Sequence, residues 1–186
     1  MNKNIKEALR EMMEIISKRV PQGHKKKDSV NIYIAGGIAT YFYSATRVSR
    51  DVDAILSHNV RIPTNLSVYW ENESGEMEEL VYDHGFMSLG GILPEGYETR
   101  AYLQYEIDNK LKVYILSPED LILSKLIRFA DHDEADIKSI VANSDAKKEK
   151  FRKLAEEYIE FGVGFRKQSA KINLEHILEI FDRFGD

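Results

Sequence analysis

The chain reads as an α+β protein: a mixed β-sheet core flanked by helices, followed by a C-terminal helical bundle. Three patterns point there. An apolar strand at residues 30–35 runs into Gly36-Gly37, then a helical segment, then a second apolar strand at 51–56, a strand–turn–helix–strand unit. Two pairs of strand-like segments flank turn-prone clusters, 66–71 and 77–83 around Asn72-Glu73-Ser74-Gly75, and 101–107 and 110–116 around Asp108-Asn109. From Ser117 onward the apolar spacing changes from a period of two to that of a helix.

Each element has a local cause. Ile5, Leu9, Met12, Met13 and Ile16 recur at three- and four-residue intervals, which predicts an amphipathic helix over 4–19 stopped by Pro21 and Gly23. The run Lys25-Lys26-Lys27, beside Gly23 and Asp28, reads as a solvated loop. After Gly36-Gly37 a helix is expected to about residue 46, with Tyr41, Phe42 and Tyr43 in its core face rather than stacked on a base. Gly90-Gly91 and Pro94-Glu95-Gly96 predict a loop. Ser117 suits an N-cap, Pro118 the first helical position, and Glu119 and Asp120 the positive end of the helix dipole. Leu121, Ile122, Leu126, Ile127 and Ala130 extend that helix as one buried stripe. Further helices are expected at 133–141, 147–161 and 174–184. No internal repeat or long linker interrupts the chain, so 1–116 is expected as an α/β core with 117–186 packed on it as a helical region.

Composition narrows the function. The 186 residues are 43% hydrophobic, enough for a buried core. There is no cysteine, which removes disulfides and thiolate zinc sites and suits a reducing cytosol. Residues 1–20 mix Lys, Glu and Arg with apolar positions and form no signal peptide, and the weakly polar run 32–45 is shorter than the roughly 20 residues a membrane span needs. A soluble, cytoplasmic protein without membrane association is expected. The net charge of -5 argues against coating nucleic acid by bulk electrostatics.

The segment Ser49-Arg50-Asp51-Val52-Asp53 carries the chemistry. Asp51 and Asp53 stand two apart inside an apolar run, so a strand points both carboxylates to one face, able to hold a hard divalent cation. Arg50 points the other way, toward a structural acid. Gly36-Gly37 would let a backbone approach phosphates at a helix N-terminus. Lys125 and Arg128, three apart on the expected helix, would reach a shared anion. His24, His58, His84, His132 and His176 are scattered without metal-binding spacing; His84 alone follows a candidate carboxylate, Asp83.

With eleven residues between Gly36-Gly37 and Ser49-Arg50-Asp51-Val52-Asp53, and with Ser117-Pro118-Glu119-Asp120-Leu121, Ser124-Lys125-Leu126-Ile127-Arg128-Phe129 and Asp133-Glu134-Ala135-Asp136-Ile137 downstream, the chain resembles the nucleotidyltransferase superfamily of the DNA polymerase β-like fold. These motifs look like a bacterial branch close to the abortive-infection and type IV toxin nucleotidyltransferases. The resemblance implies a nucleotidyltransferase core using Mg²⁺ or Mn²⁺ and an NTP substrate. Asp51 and Asp53 would be shared metal ligands, with Asp83 as third carboxylate or general base; Glu106 and Asp108 are alternatives for that third place. Gly36, Gly37 and Ser49 would grip the triphosphate, and Lys125 and Arg128 would neutralise it or bind acceptor phosphate. The acceptor would be an RNA end such as tRNA, a protein, or a small molecule, and a cognate antitoxin is an expected partner. A fold that kept its shape but lost turnover, serving as a binding or regulatory module, is the rival expectation.

Overall fold

The computed structural model describes residues 3–21, 29–45, 49–86 and 93–185. The Lys25-Lys26-Lys27 run, His24 and the Gly90-Gly91 pair lie outside them. Packing divides the chain into two compact units, Met1–Ile38 with Ser49–Ser88 and Ala101–Ile115, and Ala39–Val48 with Leu89–Arg100 and Leu116–Asp186.

Among the described residues, the first unit holds helix α1 (Ile5–Ser17), the start of α2 (Gly36–Ser44) and seven strands: β1 (Val30–Ile34), β2 (Asp51–Val52), β3 (Ala54–Leu56), β4 (Ser67–Glu71), β5 (Met77–Tyr82), β6 (Tyr102–Ile107) and β7 (Leu111–Ile115). The Asn4 side chain accepts from the Glu7 amide and the Glu7 carboxylate accepts from the Asn4 amide, a reciprocal cap that sets the start of α1. Its stripe of Ile5, Leu9, Met12, Met13 and Ile16 is buried, and α1 packs chiefly on β4. Burial of each such side chain contributes about 1.5–3 kcal/mol.

The strands form two mixed sheets rather than one. The first has the order β3-β1-β7-β6, with β1 parallel to β7 and the outer pairs antiparallel; the second has the order β2-β5-β4, with β2 parallel to β5 and β4 antiparallel to it. Both expected hairpins form. Asp108 (φ 53°) and Asn109 (φ 54°) make the tight left-handed turn that matches strand twist, and the Asn72 side chain accepts from the amides of Ser74 and Glu76.

The second unit is helical: α3 (Tyr97–Arg100), α4 (Pro118–Leu123), α5 (Asp131–Asn143), α6 (Lys148–Phe161) and α7 (Lys167–Phe184), with the rest of α2. Here α4 packs on α5 and α6, and α7 packs on α5 and α6. Phe151 and Phe181 stack at 5.4 Å between ring centres inside this bundle. Ser117 caps α4 as expected, its hydroxyl accepting from the Asp120 amide, and Arg100 clasps the buried Asp120 carboxylate with Nη2–Oδ1 at 2.7 Å and Nε–Oδ2 at 2.9 Å. Buried Glu119 accepts from Lys150 Nζ at 2.9 Å and the Lys147 amide at 3.1 Å, tying α4 to the start of α6.

Two boundaries differ from expectation by more than a couple of residues, and one element is unexpected. Helix α4 ends at Leu123, not near Ala130, because the Ser124 hydroxyl takes the Leu121 carbonyl and the following amides bond three residues back, tightening the chain into turns. Lys125 and Arg128 therefore sit on a turn. Helix α7 starts at Lys167, its polar first two turns lacking the apolar stripe that marks it from Leu174 onward. The short α3 falls within a stretch that reads as loop.

Candidate active site

All elements of the carboxylate-bearing corner belong to the first unit. The strand carrying Asp51 and Asp53 changes partners midway. Val81 N donates to Arg50 O (2.7 Å) and Asp83 N to Val52 O (3.1 Å), the ladder of the second sheet; Ala35 N then donates to Asp53 O (2.8 Å), the ladder of the first. Asp53 is thus the junction between the two sheets. Val52 and Ala54 are wholly buried while Asp51 is exposed and Asp53 half-buried, the alternation that sends both carboxylates to the side away from the core.

Register brings in the third acid. In the parallel pair Asp51 lies opposite Val81 and Val52 opposite Tyr82, so Asp83, the residue just after β5, follows on the side of Asp51 and Asp53. The alternatives lie elsewhere. Glu106 is opposite Lys112, which is opposite Asn31, and Lys110 O receives Val30 N, so Glu106 and Asp108 belong to the end of β1 remote from Gly36.

Gly36 and Gly37 open α2 against this corner. Gly36 has φ +58°, and a Cβ there would fall 1.7 Å from Asp53 Oδ2; a Cβ on Gly37 would fall 2.5 Å from Ser49 Cβ. Only glycine satisfies both the left-handed backbone and the close approach of the carboxylate. The Ser49 hydroxyl accepts from the Asp51 amide at 3.3 Å, fixing the entry into the strand. A carboxylate near the first turn of a helix is favoured by the helix dipole by about 0.3–1 kcal/mol. Gly36, Gly37, Ser49, Asp51, Asp53 and Asp83 are therefore neighbours through backbone pairing and direct packing.

Their orientation is specific. Asp83 Oδ1 accepts from the Gly85 amide at 2.7 Å, and burial, with the neighbouring Asp83 charge second, pushes the Tyr82 phenol up to about 12. Arg50 pairs with Glu78 at 3.4 Å. Among the described residues, no three His, Cys, Asp or Glu side chains are gathered closely enough to hold a metal ion as they stand. The donor set has the right chemistry for a hard cation, oxygen ligands on one strand face.

The second unit holds Lys125 and Arg128 in a different setting. Lys125 Nζ donates to Asp136 Oδ2 at 2.7 Å and to Asp133 Oδ1 at 3.3 Å, while Arg128 grips Asp133 through Nη2–Oδ1 at 2.6 Å and Nε–Oδ2 at 2.8 Å. Lys125 is 5% exposed, and the Arg128 side chain is 64% exposed. Burial opposes ionisation of Asp133, but the Arg128 bonds, the Ala130 amide and the Lys125 and Arg128 charges outweigh it and hold its carboxyl at about 2. That Asp133 and Asp136 serve as counter-ions is not readable from helical spacing, since they lie across a turn; their clustering just after two cations was the available signal.

No helix among the described residues is long and apolar enough to cross a membrane. Among solved structures, the chain is similar to an antigenic nucleotidyltransferase-like protein from Paracoccidioides brasiliensis, at 15% identity and a TM-score of 0.45, over 96% of this chain and 90% of that one. No curated protein matches it. Residues 8–179 match the family described as nucleotidyltransferase of unknown function (DUF6036), and the chain belongs to that family.

Proposed function

We propose that the protein is a nucleotidyltransferase dependent on Mg²⁺ or Mn²⁺, moving a nucleoside monophosphate from an NTP to an acceptor hydroxyl. The observation that supports this most is the register that sets Asp83 alongside Asp51 and Asp53 while Gly36 admits the Asp53 carboxylate at the start of α2. Asp51, Asp53 and Asp83 would hold the metal, which when bound neutralises phosphate charge and lowers the pKa of the attacking hydroxyl. The acceptor oxygen forms a bond to the α-phosphorus, the bond from that phosphorus to the oxygen bridging to the β-phosphate breaks, and pyrophosphate leaves. Asp83, half-buried just after β5, would either complete that ligand set, the acceptor's proton then passing to solvent, or take the proton itself as general base. Ser49 and the Gly36-Gly37 backbone would position the triphosphate. Nucleotide contact by Lys125 and Arg128 rests on the resemblance alone, as do an RNA end or a protein as acceptor, a bacterial toxin role with a cognate antitoxin, and a cytoplasmic location.

Incubation with α-labelled NTPs and total RNA or lysate tests the reaction. Label should appear in one class of macromolecule and vanish in Asp51→Asn/Asp53→Asn with the circular dichroism unchanged. Equal incorporation by that variant would refute the roles.

One observation favours a second reading, a binding module without turnover: one Asp83 oxygen is held by the Gly85 amide, and among the described residues no three acids are gathered closely enough to hold a metal ion. Calorimetry separates the two. Heat of NTP binding that requires Mg²⁺ supports the enzyme, and NTP binding indifferent to Mg²⁺ supports the module.

A further inference from the structure

Beside the carboxylate corner, the first unit contains a polar cavity. It has a volume of about 550 Å³ and is lined by the loop that follows β3, including Ser57, His58, Asn59 and Arg61, and by Tyr82 and His84 at the end of β5. Asp83 lies between the last two in sequence, so the cavity begins where the candidate site ends.

Its lining has one electrostatic sign. No carboxylate contributes to the wall, and among the described residues Arg61 has no ion-pair partner, whereas Arg50, Arg100 and Arg128 are all engaged by acids. In a chain of net charge -5 this is a local inversion. The polar groups are also oriented. His84 Nε2 lies 2.9 Å from the Pro63 carbonyl, which can only accept, so that nitrogen carries the proton and the ring is pinned across the loop. The Ser57 hydroxyl accepts from the Asn31 amide and lies 2.9 Å from His58 Nδ1. Tyr82 and His84 meet edge to face at 5.0 Å, which stiffens that wall. A guanidinium without an acid, flanked by imidazole and hydroxyl groups held from behind, suits an oxyanion with several acceptor oxygens.

We propose that this cavity binds a phosphate ester of the acceptor, with Arg61 as its principal contact, His58 as a flanking donor and His84, held by Pro63, as part of the wall. The assignment of that phosphate to the acceptor rests on the nucleotidyl-transfer reading; phosphate binding itself does not. A phosphate held beside Asp83 would place a neighbouring hydroxyl of the same molecule toward the carboxylates.

The test uses the full chain and NMR of the histidine side chains, titrated with inorganic phosphate, ribose 5-phosphate, and a short oligoribonucleotide with or without a 5′-phosphate. Phosphate and its esters should shift His58 and His84, and Arg61→Glu should weaken binding roughly tenfold or more, the loss expected for one charge-assisted contact. Arg61→Lys, which keeps the charge but not the fork, should fall between. Asp51→Asn/Asp53→Asn should bind phosphate as the native chain does, so loss of transfer and loss of this site are separately visible. Preference for the 5′-phosphorylated strand over ribose 5-phosphate would identify a nucleic-acid acceptor, and the reverse a small molecule. Shifts confined to other histidines, or equal binding by Arg61→Glu, would overturn the proposal.

Discussion

The molecule contains two clusters of aspartates, and they are built in opposite ways. In the second unit Asp133 and Asp136 surround Lys125 and Arg128 within 2.6–3.3 Å, burying most of the charge and satisfying it. In the first unit, among the described residues, Asp51 and Asp83 have no cationic side chain in ion-pair range, and Gly36 has given up its side chain to let Asp53 approach. A buried ion cluster that balances itself has a structural explanation complete in itself. Asp51 and Asp83, which no cationic side chain among the described residues balances, leave charge to be met from outside the chain. That difference is why the nucleotidyl-transfer chemistry is assigned to the first cluster, although both carry motifs that resemble the same superfamily.

Perturbing each cluster should sharpen the contrast. The largest stability effect is expected for Lys125→Met, which removes the cation shared by buried Asp133 and Asp136 and leaves Arg128 on Asp133 alone; chemical denaturation should register a loss of about 3–5 kcal/mol. Asp51→Asn should do the reverse, leaving the denaturation midpoint almost unchanged while lowering transfer activity by about 10²–10³-fold, the scale of removing one group that stabilises transition-state charge. If Asp51→Asn unfolded the protein and Lys125→Met did not, the two clusters would have been assigned the wrong way round.

Gly36→Ala lies between these. A left-handed backbone at a residue with a side chain costs about 1–3 kcal/mol, and the new methyl must also displace the Asp53 carboxylate. Both the thermal midpoint and the activity should fall together.

The acid limb of the stability curve offers a subtler check. Asp133 is held at about 2 against an ordinary 3.8, so its ionised form stabilises the fold fully above pH 3.8, and that contribution disappears as pH falls through about 2. Asp133→Asn should flatten the pH dependence in that window and nowhere higher. The smallest effect is expected at Arg50, whose bond to Glu78 is 3.4 Å long on a side chain 73% exposed: Arg50→Ala should cost no more than about 1 kcal/mol and spare activity.

The same contrast marks what could be read from the sequence. Local signals were legible: the α1 stripe, the two turns that close the hairpins, the Ser117 cap, and the glycine pair ahead of two aspartates. All depend on residues a few positions apart. Pairing was not. Nothing in the run from Asp51 to Leu56 announces that it leaves one sheet for another at Asp53, because both halves have the same apolar alternation and the partners lie in β1 and β5. The choice of Asp83 over Glu106 and Asp108 is likewise a matter of register. The turn at Lys125 was hidden because its apolar residues keep helical spacing while Ser124 and Asn173, which donates to the Leu126 carbonyl at 2.8 Å, take the carbonyls that would continue the helix.

Manganese titration followed by NMR tests the central claim most directly, because a paramagnetic ion broadens the signals of residues near it. The amides of Gly36, Gly37, Asp53 and Asp83 should broaden first, and Asp51→Asn/Asp53→Asn should abolish the effect. Broadening centred on Asp133 and Asp136, or none at any residue, would contradict the assignment of the metal to the first cluster.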